Sequence, residues 1–322
     1  MPSKVFLEQN GEFIDLRKKA LAKYGETDPK ISVTLVDTVW TDVFKNVVER
    51  SQVKESRHTS IYTFEQAIKG IPEIEHFQSI TRGTSPGYPY VNKRGSTKGK
   101  TLWLGTDNEL VLEGNAIKDL REDVTCLLLD YTLPLPNRRR EVIYVDTAKD
   151  ELLDKKKILE EHKLRIFAAV PMHYLIACRM YFMGFCIWMI ENRVSNGCAI
   201  GMNVYSEEWN LLYKELSTFS AVVAGDYKGF DMRQLTVMLR RLVEFINMWY
   251  DDSTENKQIR CGIFKDLYNA LHLFGNVLYK HNHALPSGHF LTITVNCLMN
   301  IAYLNLCWRA IVEKSLQNAF FK

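Results

Sequence analysis

Two aspartates, Asp226 and Asp231, stand five residues apart in the run Gly225-Asp226-Tyr227-Lys228-Gly229-Phe230-Asp231. The apolar residues 221–224 lead into them and read as a short buried strand, so Asp226 is delivered at a strand's exposed end. A carboxylate there is costly unless it is paired or metal-bound. A magnesium ion takes one or two protein carboxylates together with substrate phosphates. The plainer alternative makes Asp226 a turn former and Asp231 the N-cap of a following helix. Leu235, Met238, Leu239, Leu242, Phe245, Ile246 and Trp249 mark that helix by their amphipathic spacing.

A second polar constellation lies further on, where Pro286-Ser287-Gly288 forms a turn that feeds a long apolar helix. Thr292 and Asn296 are four apart and share one face of it. Two polar groups on such a helix either hydrogen-bond inside the core or present a hydroxyl and an amide to a ligand. Cations gather upstream. Lys93, Arg94, Lys98 and Lys100 make a glycine-containing loop. Gly95 to Thr101 falls one residue short of a phosphate-cradling P-loop and follows no apolar strand, which leaves a solvated basic loop able to touch phosphate. Arg138-Arg139-Arg140 precede an apolar strand at 142–145. Lys149, Asp150 and Glu151 then open a charged stretch that runs through Lys163 and Arg165 into the apolar strand 166–170. Cations fixed to a core strand in this way could line a channel that admits triphosphates. His281, His283 and His289 have no cysteine or acid at ligand spacing, so zinc is not expected.

The elements that must position these groups fit an ordinary globular chain. It has 322 residues, 46% of them hydrophobic and 25% charged, enough for two domains or one with a large insertion. A net charge of +3 means that nucleic-acid affinity must come from local clusters. Seven cysteines without a C-x-x-C spacing argue for reduced thiols, and residues 1–10 carry no secretory h-region. Two apolar stretches, 166–190 and 290–308, approach spanning length. Pro171 and Arg179 interrupt the first, and Thr292, Thr294, Asn296, Asn300 and Asn305 punctuate the second, so both read as buried core helices and no transmembrane segment is expected. A helical pattern covers 33–48, and a short helix follows Thr63 and stops at Gly70 and Pro72. Thr84-Ser85-Pro86-Gly87-Tyr88-Pro89-Tyr90 is turn-rich, residues 110–129 carry no clear signal, and a loop at 196–203 precedes a helix holding Trp209, Leu212 and Leu216.

In combination and in order, these pieces resemble the RNA-dependent RNA polymerases of positive-strand, picornavirus-like viruses, with wording that leans toward arthropod and marine members. Residues 84–90 are similar to the template-entry motif G, and Lys149-Asp150-Glu151 with Lys163 and Arg165 to motif F. Asp226-x4-Asp231 matches motif A, and Ser287-Gly288-x3-Thr292-x3-Asn296 matches motif B. The resemblance runs from about residue 63 to the end. It implies an α+β right-hand polymerase fold, with an antiparallel palm sheet backed by helices. Residues 1–80 would be an N-terminal segment and fingertips, 81–184 fingers, 185–260 palm, 261–286 a return to the fingers, and 287–322 palm again.

By the same resemblance, Asp226 is the catalytic metal ligand for Mg2+ or Mn2+, assisted by the backbone of Tyr227. Asp231, Thr292 and Asn296 check the ribose 2′-OH. Lys149, Lys163 and Arg165 contact the incoming triphosphate, and Ser287 and Gly288 form a mobile loop beside it. Thr84, Ser85, Pro86, Gly87, Tyr88, Lys93 and Arg94 touch template RNA. One departure stands out: from Asn296 to Lys322 there is no aspartate, so the family's Gly-Asp-Asp motif C is missing. The expectation is therefore fingers plus an incomplete palm, with the thumb absent, a fragment inactive alone. The alternative is a non-catalytic RNA-binding remnant. Template and primer RNA, nucleoside triphosphates and other viral replication proteins are the expected partners. The host cytoplasm, at replication complexes, is the expected location.

Overall fold

A computed structural model describes residues 5–22, 24–25, 29–133 and 140–321. Arg138 and Arg139 of the triple-arginine run lie outside them. The fold is built around one helix that is apolar all round. Met172–Glu191 (α3 in the chain-order numbering used here) buries sixteen of its twenty residues, as expected for a helix enclosed on every side. Pro171 precedes its first turn, where a missing N–H costs nothing. Arg179 is its one buried cation. The guanidinium donates to the carbonyls of Ala67 and Gln78 and lies over the Phe77 ring, and burial lowers its pKa to about 10. This helix is the one described segment long and apolar enough to cross a membrane, and it is the core of the fold.

The other longer helices follow in chain order. Val33–Arg50 is α1, Asn115–Thr132 is α2, Glu208–Leu216 is α4, Thr236–Tyr250 is α5, Thr254–Tyr268 is α6 and Thr292–Ile311 is α7. Helices α2 and α6 pack on α3, while α1 packs against α5 and α7. The short helix Phe64–Lys69 also lies on α3, and Thr63 closes its start with a reciprocal capping box to Gln66. Residues 115–132, which carry no clear sequence signal, form the full-length α2, with Ile117, Leu120, Val124 and Leu127 buried at helical spacing.

Strands Phe6–Gln9 (β1) and Glu12–Asp15 (β2) form a small hairpin. The main sheet has the order β4-β3-β5-β6, from Ile143–Ala148 (β3), Ile166–Ala169 (β4), Leu271–Phe274 (β5) and Val277–Lys280 (β6). It is mixed: β3 runs antiparallel to β4 and parallel to β5. Residues 143–169 and 271–280 are thus one sheet despite about a hundred residues between them. The described residues of 185–260 and 287–321 carry no strand.

That result corrects the expectation of a buried strand at 221–224. Residues 221–228 are exposed and irregular, with Val223 94% accessible. An apolar run becomes a buried strand only with a partner edge and a covering face, and no described segment supplies either. Helix α4 shares this condition, because it is amphipathic yet buries no residue.

Three histidines are held neutral in the core. Burial lowers the pKa of His173 to about 4 and of His289 to about 3. Burial, helped by His272 and His283, lowers that of His281 to about 3. Each folded value lies below the ordinary 6.5, so their contribution is intact above that pH and drains away as pH falls toward 4, at about 2 kcal/mol per histidine by pH 5. The melting temperature is expected to drop on the order of 10 °C between pH 7.5 and pH 5. Equal values by circular dichroism at the two pH values would show that these rings are not buried uncharged.

Candidate nucleotide and RNA site

Strand β4 holds the candidate site together. Its inner edge pairs with β3, with Asp146 opposite Ala168, and the ladder continues past its start as Lys149 donates its N–H to the Arg165 carbonyl at 2.9 Å. This pairing puts Lys149 and Arg165 opposite each other. Both reach the Glu151 carboxylate, at 3.8 and 2.9 Å, while their side chains remain about half exposed. Such surface pairs are weak, so a polyanion can compete for the two cations. Lys163 is half-buried, and its N–H donates to Lys157.

The other edge of β4 accepts a loop. The N–H of Ala168 donates to the Ser287 carbonyl at 2.8 Å. Gly288 follows at φ +100°, and a Cβ there would fall 2.5 Å from the Phe167 ring and 2.8 Å from the Ala168 carbonyl oxygen. Only glycine fits so close an approach in that conformation. Behind it, His289 is buried, and its Nδ1 accepts the Leu291 N–H at 3.0 Å, which leaves the ring proton on Nε2 beside Cys178.

Where β4 runs into α3, the turn-rich segment docks. Pro86 accepts from the Met172 N–H at 2.9 Å, and a Cβ on Gly87 (φ +71°) would meet the Val170 carbonyl at 2.5 Å. Pro86 and Gly87 are therefore buried, whereas Thr84, Ser85 and Lys93 are exposed and Tyr88 and Arg94 half-buried. Lys100 departs from the solvated loop expected for it. It is 3% exposed, and its ammonium donates to the carbonyls of Thr81 and Thr84 and to the Thr84 hydroxyl. Burial lowers its pKa to about 8. Three acceptors converge on it, which is why a lysine can be buried there without an acid.

Asp231 opens a short 3-10 turn and meets α7. The Asn296 amide donates to its Oδ1 at 2.6 Å, and the Leu285 N–H donates to its carbonyl at 2.8 Å. Thr292 lies one turn before Asn296, and its hydroxyl donates to the His289 carbonyl at 2.7 Å. Tyr227 donates to Asn300 at 2.9 Å, and the Tyr303 hydroxyl accepts the Leu235 N–H at 2.8 Å. Residues 227–235 are thus fastened to the stripe Asn296, Asn300 and Tyr303. The structure joins Asp231 to Asn296 and Ser287 to strand β4, while Thr292 bonds within its own turn. Asp226 is exposed and has no hydrogen-bond partner among the described residues.

No group of three or more His, Cys, Asp or Glu among the described residues is arranged to hold an ion. Asp226 and the Tyr227 carbonyl do not by themselves make up a two-ion centre.

Sequence reasoning overlooked two contributors. Gln234, fully buried, donates its amide to the Asn296 carbonyl and to the Phe230 carbonyl, each at 3.2 Å. Asp146, also buried, accepts from His272 at 2.9 Å and from the Tyr279 hydroxyl, tying β3 to β5 and β6. A charged residue at a buried position of an alternating strand was the available signal for Asp146; nothing in the sequence marks Gln234.

The fold is that of a right-hand nucleic-acid polymerase. The chain superposes on the structure of a Sicinivirus 3Dpol RNA dependent RNA polymerase with a TM-score of 0.76, at 20% identity, over 98% of this chain and 61% of that one. Residues 6–321 match the family model described as viral RNA-dependent RNA polymerase, and the chain belongs to that family. It is 35% identical over 272 residues to the replicase polyprotein of Drosophila C virus, covering 81% of this chain and 15% of the polyprotein. It is 31% identical over 314 residues to that of Acute bee paralysis virus, covering 95% and 16%. The picorna-like resemblance read from the motifs is borne out. The chain spans about one sixth of these relatives' length.

The Gly288 seat yields a direct expectation. Gly288→Ala should cost about 1–3 kcal/mol locally, from the left-handed backbone and the clash with β4. Amide exchange of Ala168, whose N–H is tied to Ser287, should then accelerate at least ~10-fold. Unchanged protection in the variant would mean that the loop does not rest on β4.

Proposed function

We propose that this chain forms the fingers and part of the palm of an RNA-directed RNA polymerase in viral RNA replication. The polymerase transfers a nucleotidyl group from a nucleoside triphosphate to an RNA 3′-hydroxyl. The observation that carries the reading is the 2.6 Å hydrogen bond between Asp231 and Asn296, which joins two polar groups from segments 65 residues apart. In this reading Asp231, Asn296 and Thr292 sense the ribose 2′-hydroxyl. Lys149, Lys163 and Arg165 receive the triphosphate, the first and last by exchanging Glu151 for phosphate oxygens. Ser287 and Gly288 lie against β4 beside them. Thr84, Ser85, Tyr88, Lys93 and Arg94 present hydroxyls and charge to template RNA, with Pro86 and Gly87 seating that loop.

The fingers comprise 81–184 and 261–286, which is supported by the shared sheet of β3, β4, β5 and β6, and the palm 185–260 and 287–322. Mg2+ or Mn2+ is the proposed cofactor of the polymerase, with Asp226 one of its ligands. Other viral replication proteins and a host-cytoplasmic replication complex complete the setting, in keeping with seven free cysteines. A second reading is an RNA-binding remnant without chemistry, which matches the absence, among the described residues, of a group of three or more His, Cys, Asp or Glu that could hold an ion.

Both readings require RNA binding through the exposed cations. Replacing Lys93 and Arg94 by alanine together should reduce the slope of log affinity against log salt for single-stranded RNA by about 1.4. An unchanged slope in filter binding would remove this loop from the RNA path. In primer extension with magnesium and labelled nucleotide, these 322 residues alone should incorporate nothing. Measurable elongation would overturn the assignment of the metal centre as incomplete.

A further inference from the structure

Gln234 belongs to no motif in the sequence and is 0% exposed. Its side chain spans the gap between the 3-10 turn and α7. The amide nitrogen donates to the Phe230 carbonyl and to Asn296 Oδ1, each at 3.2 Å, while Asn296 Nδ2 donates to Asp231 Oδ1 at 2.6 Å. The order of donors along this path has one solution. A carboxylate accepts only, so Asn296 must turn its NH2 toward Asp231 and its carbonyl away. The atom facing that carbonyl must then be a donor, which fixes Gln234 with its NH2 inward. The Phe230 carbonyl, which can also only accept, holds the same NH2 from the other side.

This arrangement is bought with an unsatisfied group: Gln234 Oε1 is buried and has no partner. A buried acceptor left unpaired is unfavourable, and a leucine or methionine would avoid it at similar volume. Packing alone therefore does not explain a glutamine here, but orientation of Asn296 does.

We infer that Gln234 is a positioning residue that, as a second partner beside Asp231, restrains the Asn296 amide in the orientation Asp231 imposes, and through it supports the ribose selectivity of the site. The inference rests on the reading of Asp231 and Asn296 as the ribose sensor. Without Gln234, Asn296 loses the donor that holds its carbonyl, is held by Asp231 alone, and moves more freely about its terminal torsion. Its second N–H then no longer points in one direction beside the Asp231 carboxylate. A 2′-hydroxyl is told from hydrogen by the hydrogen bonds it makes, and an oriented Asn296 N–H beside the Asp231 carboxylate offers it one donor and one acceptor.

The test uses the full 322-residue chain, deuterated and 15N-labelled, with the Asn296 side-chain amide assigned by comparison with Asn296→Ala. Gln234→Met is the principal variant and Gln234→Leu the second. Both keep the backbone bond from the Ala284 N–H to the Gln234 carbonyl, and melting temperature checks the fold of each. Two readouts are taken: exchange of the Asn296 side-chain amide without ligand, and its shift on titration with ATP or 2′-deoxy-ATP in magnesium. Wild type should respond to ATP and at least ~10-fold less to the deoxy form. In a folded variant the amide exchange should quicken at least ~10-fold and the two nucleotides should give responses within about twofold. A variant with wild-type exchange and wild-type discrimination overturns the role of Gln234 and leaves the ribose site standing. A wild-type chain that answers both nucleotides equally, or neither, overturns the ribose site and the selectivity role with it; the exchange readout then still decides whether Gln234 orients Asn296.

Discussion

A strand at the end of a sheet leaves one row of backbone donors and acceptors unpaired, and β4 is such a strand. Here two loops dock along that row. The N–H of Ala168 takes the Ser287 carbonyl, and the exit of the strand takes Pro86 and Gly87. Two glycines make the approach possible, because each would drive a Cβ into backbone within 3 Å. Two chain segments distant in sequence are thereby referred to a single four-residue strand. The cations at its start, Lys149 and Arg165, share the same reference.

Beneath this surface the polar groups are arranged to keep the sheet rigid. Asp146 on β3 accepts from His272 on β5 and Tyr279 on β6, so one buried carboxylate ties three strands. The His272 ring stacks on Tyr144 and on Tyr279, with His281 beside it. A second buried charge works the same way among the helices. Arg260 on α6 is fully buried, pairs with Asp252, bonds Asn247 at 2.6 Å and lies over the Tyr250 ring. Buried charges of this kind add little net stability, but they penalise any arrangement that separates the partners.

The parts of this structure legible in the sequence were those with a local cause. The cap at Thr63, the amphipathic spacing of α5 and the apolar completeness of α3 each appear in the expected place. The pairing of Asp231 with Asn296 came from the family resemblance, because motif order carries long-range information that spacing and periodicity lack. Local signals failed where the environment decides. Residues 221–224 have strand composition, yet they lie exposed because strand burial depends on a neighbour. Lys100 looks like a surface cation and is buried, because the carbonyls that receive it come from Thr81 and Thr84, which no pattern marks as acceptors. The glutamine between Asp231 and Asn296 escaped notice for the same reason.

Asn296, Asn300 and Tyr303 lie along one stripe of α7, at steps of four and three residues, and each holds a different point of the segment 227–235. A helix turns by 100° for every residue of travel, so these contacts cannot be exchanged one at a time. Sliding the segment by a single position would present all three teeth to the wrong gaps together. The engagement therefore works like a rack and pinion: it is meshed along its whole length or it is free.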